Sequence, residues 1–174
     1  MEVAALDAIL VSPKDCFRIS LITCQKSIQS FNTEDSTMNA VEVVQNNFNS
    51  WNRHDSDAIA AAYAEGGVYT TPSVPEPLTG GPAIGDFAKA VFTIFPDFSL
   101  DLISIGQTGG GLVVLEWVFH ATNTGAFPDG TPATGRRVNC PGVSIVQVEG
   151  DKLRSEKVYF DRLGEHKQLG LIKD

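Results

Sequence analysis

The chain has 174 residues, of which 43% are hydrophobic and 20% charged, and a formal net charge of −8; that is enough apolar sequence for one sizeable core and too little for two. The acidic balance and the absence of any Lys/Arg cluster exclude a nucleic-acid surface or an anionic-membrane surface, because both need a basic footprint. No apolar run approaches the roughly 20 residues that span a bilayer, and the expected partner is a small hydrophobic molecule.

Residues 1–37 differ from the rest. No helical or strand period is sustained beyond the stretch from Phe17 to Cys24, and two of the three cysteines, Cys16 and Cys24, lie here, with Cys140 the third. The segment reads as a flexible appendage and residues 38–174 as the domain. The opening Met1-Glu2 lacks the positive region of a secretory signal, which predicts a cytoplasmic protein. The cysteines show neither disulfide nor zinc spacing and read as reduced thiols.

Asn39 with Glu42 three residues on has the form of a capping box, and Val41, Val44, Phe48 and Trp51 recur at helical spacing, which predicts a first helix ending near His54. Asp55 or Ser56 is placed to cap a second helix from Ala58 to Glu65, closed by Gly66. Val68 to Thr71 reads as a short strand, and Pro72 to Gly81 as a loop. Pro82 then suits the first turn of a third helix, with an apolar stripe of Ile84, Phe87, Ala88, Val91 and Phe95 that Pro96 stops. Beyond Phe98 the period changes to 2. Strands are predicted at Phe98 to Ile105, Leu112 to Thr122, Val138 to Val148 and Lys152 to Phe160, with a short helix from Arg162. Helices grouped first and strands last predict an α+β domain: a curved antiparallel sheet covered on its concave face by three N-terminal helices, with a ligand cavity where the sheet curls away from them.

Several residues are placed for chemistry. Asp161 follows the apolar end of the last strand, where burial would raise its pKa toward the working pH and suit it to proton transfer; equally, aspartate is a favoured N-cap for the helix that starts at Arg162. Strand alternation sets Tyr159 on the face of Asp161. In the strand from Leu112 to Thr122 it sets Trp117, Phe119 and Ala121 on the apolar inner face, with Glu116, Val118 and His120 outside. The inner parity continues to Asn123. Tyr69 and Trp51 are candidates for the cavity wall. The histidines show no metal-ligand spacing, and the loop from Gly125 to Arg137 lacks the ending of a phosphate-binding loop.

Trp51-Asn52-Arg53-His54-Asp55, Tyr63-Ala64-Glu65, Phe95-Pro96-Asp97, Thr134-Gly135-Arg136-Arg137 and Tyr159-Phe160-Asp161 with Gln168-Leu169-Gly170 together resemble the SnoaL-like polyketide cyclases. These belong to the nuclear-transport-factor-2-like superfamily, with scytalone dehydratase, ketosteroid isomerase and limonene epoxide hydrolase. The resemblance spans about Ala40 to Ile172. It implies a cone-shaped α+β barrel with a deep apolar pocket, a homodimer formed through the outer sheet surface, and no metal or organic cofactor. It further implies intramolecular aldol closure of a polyketide ester by an aspartate at the end of the last long strand, which Asp161 matches. Thr122-Asn123-Thr124-Gly125 departs from the family pattern, which often has histidine at the second position; an asparagine there is limited to hydrogen bonding. Three functions follow as expectations: a cyclase or isomerase using Asp161, a water-activating epoxide hydrolase or dehydratase using Asp161 with Asn123, and a non-catalytic binding or dimerisation module.

Overall fold

The structure is a computed structural model that describes residues 39–108 and 111–172. The appendage expected at residues 1–37 lies outside the described residues. The element order is α1 (Ala40–Asn52), α2 (Ser56–Ala62), β1 (Tyr63–Thr70), β2 (Leu78–Thr79), α3 (Gly81–Ile94), β3 (Ser99–Gln107), β4 (Leu112–Thr122), β5 (Arg137–Glu149), β6 (Lys152–Phe160) and α4 (Arg162–Leu169). The chain is α+β, as its patterning predicts.

Local chemistry starts and stops these elements. Asn39 caps α1 by accepting from the Val41 amide, and Asp55 caps α2 by accepting from the Ala58 amide at 2.9 Å, so each satisfies an amide that the first helical turn leaves without a partner. Gly81 and Pro82 open α3. A Cβ on Gly85 would lie 2.9 Å from the Ala60 methyl, so the glycine is what lets α2 and α3 cross closely. The second helix ends at Ala62, three residues before the predicted end. Tyr63 turns extended instead, because its backbone pairs with Leu153 and its side chain is drawn into the core.

The six strands form one sheet in the order β2-β1-β6-β5-β4-β3. The sheet is mixed, not purely antiparallel: β1 runs parallel to β6, and all other neighbours are antiparallel. The helices are not grouped ahead of the strands either, since β1 and β2 intervene between α2 and α3. Helix α1 lies against β3, β4, β5 and β6, while α3 packs on β1, β2 and α2. The covering layer is therefore built mainly by α1 and α3, because α2 spends its short apolar face on the other helices.

Alternation holds along β4, where Val113, Leu115, Trp117, Phe119 and Ala121 are buried. Val138, Cys140, Gly142, Ser144 and Val146 of β5 share that inner face. Across the sheet, Phe160, Gly142, Trp117 and Leu102 line up as one row, and Val158, Ser144 and Leu115 as the next. On β6 the buried residues are Leu153, Glu156 and Val158. A register shift in the β5–β6 pairing, between Gln147 and Val148, changes the phase between Leu153 and Glu156. The core then closes through an aromatic cluster: Trp51 stacks on Tyr69 at a centroid distance of 6.1 Å and meets Phe87, Phe92 and Phe98. Among the described residues no helix is long and apolar enough to cross a membrane.

Candidate active site

A cavity of about 260 Å³ lies between α1, α3 and the inner sheet face. Its wall includes Phe48, Trp51, Tyr69, Phe87, Phe98, Trp117 and Phe119. Such a lining binds apolar groups by area and leaves orientation to a few polar atoms. The polar atoms come from Asn47, Thr71, Ser73, Ser144, Glu156, Arg162 and Glu165.

Two carboxylates lie in this wall. Glu165 is held by Arg162 at 2.5 Å, one turn apart on α4, and its charge is answered locally. Glu156 has no cation partner among the described residues and is only 7% exposed. The Tyr63 hydroxyl donates to its Oε2 at 2.7 Å, and the Ser144 hydroxyl is a second donor. Trp117 Nε1 donates to Ser144 Oγ at 3.1 Å, which leaves the Ser144 proton directed at the carboxylate. Two donors favour the ionised form. Burial disfavours it more strongly, and the Glu156 carboxyl is pushed above its ordinary value of 4.5. Tyr63 and Tyr69 are raised well above 10.0 by burial and then by the Glu156 charge, so both stay protonated as neutral donors. Tyr69 pairs directly with Glu156 across the parallel β1–β6 ladder.

The predicted site residues divide. Trp51, Tyr69, Trp117 and Phe119 line the cavity together. Asp161, Tyr159 and Asn123 do not. Asp161 is exposed, and its carboxylate caps α4 by accepting from the Gly164 amide at 2.8 Å; the role of helix cap is the one the geometry realises. Tyr159 is 55% exposed, because the inward phase of β6 runs through Glu156, Val158 and Phe160. Asn123 is fully buried but spent on the backbone. Its Nδ2 donates to Gly125 O at 2.8 Å and its Oδ1 accepts from the Thr134 amide at 2.8 Å, which pins the loop between β4 and β5. His120 is on the outer face, 3.1 Å from Asp101. Among the described residues, no group of three or more His, Cys, Asp or Glu could hold a metal ion.

Sequence reasoning missed Glu156, Tyr63, Ser144 and Asn47. The available signal was the charge at Glu156 in phase with Val158 and Phe160, a carboxylate where the strand's apolar face should continue.

A sequence model of the SnoaL-like polyketide cyclases matches residues 41–169. No curated protein sequence matches the chain. Among solved structures, a protein from Jannaschia sp. CCS1 assigned as a SnoaL-like polyketide cyclase superposes with a TM-score of 0.68 at 18% identity, covering 82% of this chain and 99% of that one. A protein from Pseudomonas putida KT2440 assigned as a polyketide cyclase superposes at 0.65 and 20% identity, covering 76% and 98%. An epoxide hydrolase from M. tuberculosis, described as LEH-like, superposes at 0.60 and 19% identity, covering 78% and 92%. At these identities the superpositions establish a shared fold.

Proposed function

From the premise that the chain belongs to the SnoaL-like polyketide cyclase family, we propose that it is a cyclase or isomerase-type enzyme in which Glu156 moves a proton on a hydrophobic carbonyl or ester compound. The observation that carries this reading is a single one: a carboxyl group inside an apolar cavity, raised by burial and held by Tyr63 and Ser144. A carboxylate with an ordinary pKa is a weak base, and one whose pKa has been lifted toward the working pH is better matched to both halves of an acid–base cycle.

For an intramolecular aldol closure the steps balance. Ionised Glu156 removes a proton from the carbon between two carbonyls, and the enolate carbon attacks a third, more distant carbonyl of the same molecule. The new alkoxide takes the proton back from the Glu156 carboxyl. No net proton is gained or lost, and the carboxylate is restored. Tyr69, protonated and beside Glu156, is placed to donate to an enolate oxygen, while Trp117 and Ser144 hold the carboxylate in orientation. The aromatic wall excludes water, which favours ring closure over hydrolysis.

A water-activating reading through Asp161 and Asn123 loses both of its groups, since Asp161 caps α4 and Asn123 is spent on pinning the β4–β5 loop.

The test is turnover of a panel of β-keto esters and enones by two variants. Asp161→Ala is expected to lower the stability of the domain by about 1 kcal/mol through the lost cap and to leave kcat/KM within about twofold. Tyr63→Phe removes a hydrogen bond that favours the Glu156 carboxylate. Its activity is expected to fall about tenfold at neutral pH, and the rise of kcat/KM with pH, which follows ionisation of Glu156, is expected to move to higher pH. A large loss in Asp161→Ala with an unmoved profile in Tyr63→Phe would return the chemistry to Asp161.

A further inference from the structure

The cavity has a second ionic group apart from Glu156. Arg162 and Glu165 lie in its wall, and Arg162 is the one cation among the described residues that line it. Its Nη1 pairs with Glu165 Oε2 at 2.5 Å, and the Arg162 side chain is 34% exposed while that of Glu165 is only 5% exposed. A guanidinium carries five donors in a planar fork. The bond to Glu165 is the only one its side chain makes among the described residues, so accessible donors remain for a further acceptor. The helix that carries the pair is held firmly at its other end, where Leu169 is fully buried and Gln168 both accepts from the Asn139 amide at 2.8 Å and donates to the Asn139 carbonyl at 3.2 Å. Those two bonds stand in for a strand, because the β5–β6 pairing stops at Gly142 and Phe160. Glu156 and Phe160 are four residues apart on β6, about 13 Å at the rise of a strand, and Arg162 lies beyond Phe160. The carboxyl of Glu156 and the guanidinium are therefore carried at well-separated points along one cavity, with Val158 and Phe160 of its apolar wall between them.

We propose that Arg162 is a positioning residue that anchors a carbonyl oxygen of the ligand remote from the reacting carbon, and that Glu165 makes this anchor select a neutral carbonyl over a carboxylate. The proposal rests on the reading of the cavity as the ligand site and names the pattern of groups it takes: two carbonyl-bearing ends joined by an apolar body. A guanidinium donates and cannot accept, so its partner on the ligand is an acceptor oxygen. Glu165 is buried against Arg162 and cancels its charge, which leaves a net-neutral pair that still offers N–H groups. A ligand carboxylate would bring a further negative charge to a wall that already holds Glu165 and Glu156, whereas a ketone, amide or ester carbonyl accepts the same bond without that repulsion. Binding energy gained at the far end then holds the near end in register with Glu156, which is the use an enzyme makes of contacts away from the reacting centre.

The experiment is binding, measured by calorimetry, of three probes: methyl 6-acetyl-2-naphthoate, its free acid, and 2-acetylnaphthalene, which lacks the far group. Removing Arg162 alone would leave Glu165 buried and unpaired, so the pair is removed together in Arg162→Met/Glu165→Leu, and the charge balance is tested separately in Glu165→Gln, where the amide oxygen still accepts from Arg162. Wild type is expected to bind the ester about tenfold more tightly than 2-acetylnaphthalene and more tightly than the acid. The double variant is expected to lose the advantage of the ester while still binding 2-acetylnaphthalene. Glu165→Gln is expected to shift the ratio of acid to ester affinity about tenfold toward the acid, an inversion that a purely structural ion pair would not produce. Binding of 2-acetylnaphthalene to wild type with no advantage for the ester overturns this proposal and leaves the proposed function standing. An ester advantage that survives in the double variant, or an acid-to-ester ratio unmoved in Glu165→Gln, also overturns it. Failure of all three probes to bind wild type removes the cavity as the ligand site, and with it both this proposal and the function from which it proceeds.

Discussion

Glu156→Gln is expected to lower turnover by about 10²–10⁴-fold, the range that a positioned acid–base group supplies, while making the folded protein more stable at neutral pH. The two effects have one origin. Glutamine keeps the shape of the side chain and an oxygen to accept from Tyr63, so the cavity and that hydrogen bond persist, whereas its NH2 can only donate. What is lost is the charge, together with the ability to take up and return a proton. The stability effect follows from linkage. The folded-state pKa of Glu156 lies above its unfolded value, so between those two values the folded state holds more protons than the unfolded state and wild type loses stability as pH rises. The favourable contribution of the protonated carboxyl is fully present below pH 4.5 and is lost as pH passes through the raised folded pKa. The melting temperature of Glu156→Gln is therefore expected to gain on wild type progressively from acid to neutral pH. A difference that stays flat across that range would mean that burial is not what raises Glu156.

Gly142→Ala is expected to be the most damaging single methyl group in the sheet. Gly142 pairs with Trp117 across β4 and β5, and a Cβ built there would overlap the indole ring. The ring lies over the glycine because only a residue without a side chain allows it. Relieving the overlap requires the indole to leave its place, which breaks the Nε1 bond to Ser144 Oγ and releases Ser144 from Glu156. Overpacking of this kind costs about 1–3 kcal/mol, or roughly 3–10 °C in melting temperature for a domain of this size. Turnover is expected to fall about tenfold as the second donor to the carboxylate is lost. Trp117→Leu in the Gly142→Ala background is expected to recover part of the stability and none of the activity. A double-mutant cycle on melting temperature isolates the coupling, and additivity of the two changes would contradict the contact.

The helices and β4 were legible because their signals are local. Asn39 and Asp55 announce their own helices as caps, and five inward residues of β4 alternate without interruption. The buried carboxyl proposed as the acid was not legible, for two physical reasons. Reading backward from Asp161 takes an exposed helix cap as an inward residue and so places Tyr159 inside, and the register shift between Leu153 and Glu156 prevents the phase from being carried forward from Leu153 instead. Second, Glu156 is recognised as a site only through Tyr63, 93 residues away in sequence, and that neighbour is created by the parallel pairing of β1 with β6. A strand-by-strand reading has no access to a pairing between the first strand and the last. Asn123 illustrates the reverse error. Its inner parity agrees with its burial, but burial there reflects an amide used up by backbone groups of a loop, which no alternation pattern can distinguish from an amide facing a ligand.

The most direct test of the central claim is exchange of the acidic C–H of a bound β-keto ester with deuterated solvent, followed by proton NMR, because it reports proton abstraction without requiring that the ring close. The account predicts exchange accelerated by wild type and by Asp161→Ala and lost in Glu156→Gln. Exchange at the wild-type rate in Glu156→Gln, or its loss in Asp161→Ala alone, would contradict it.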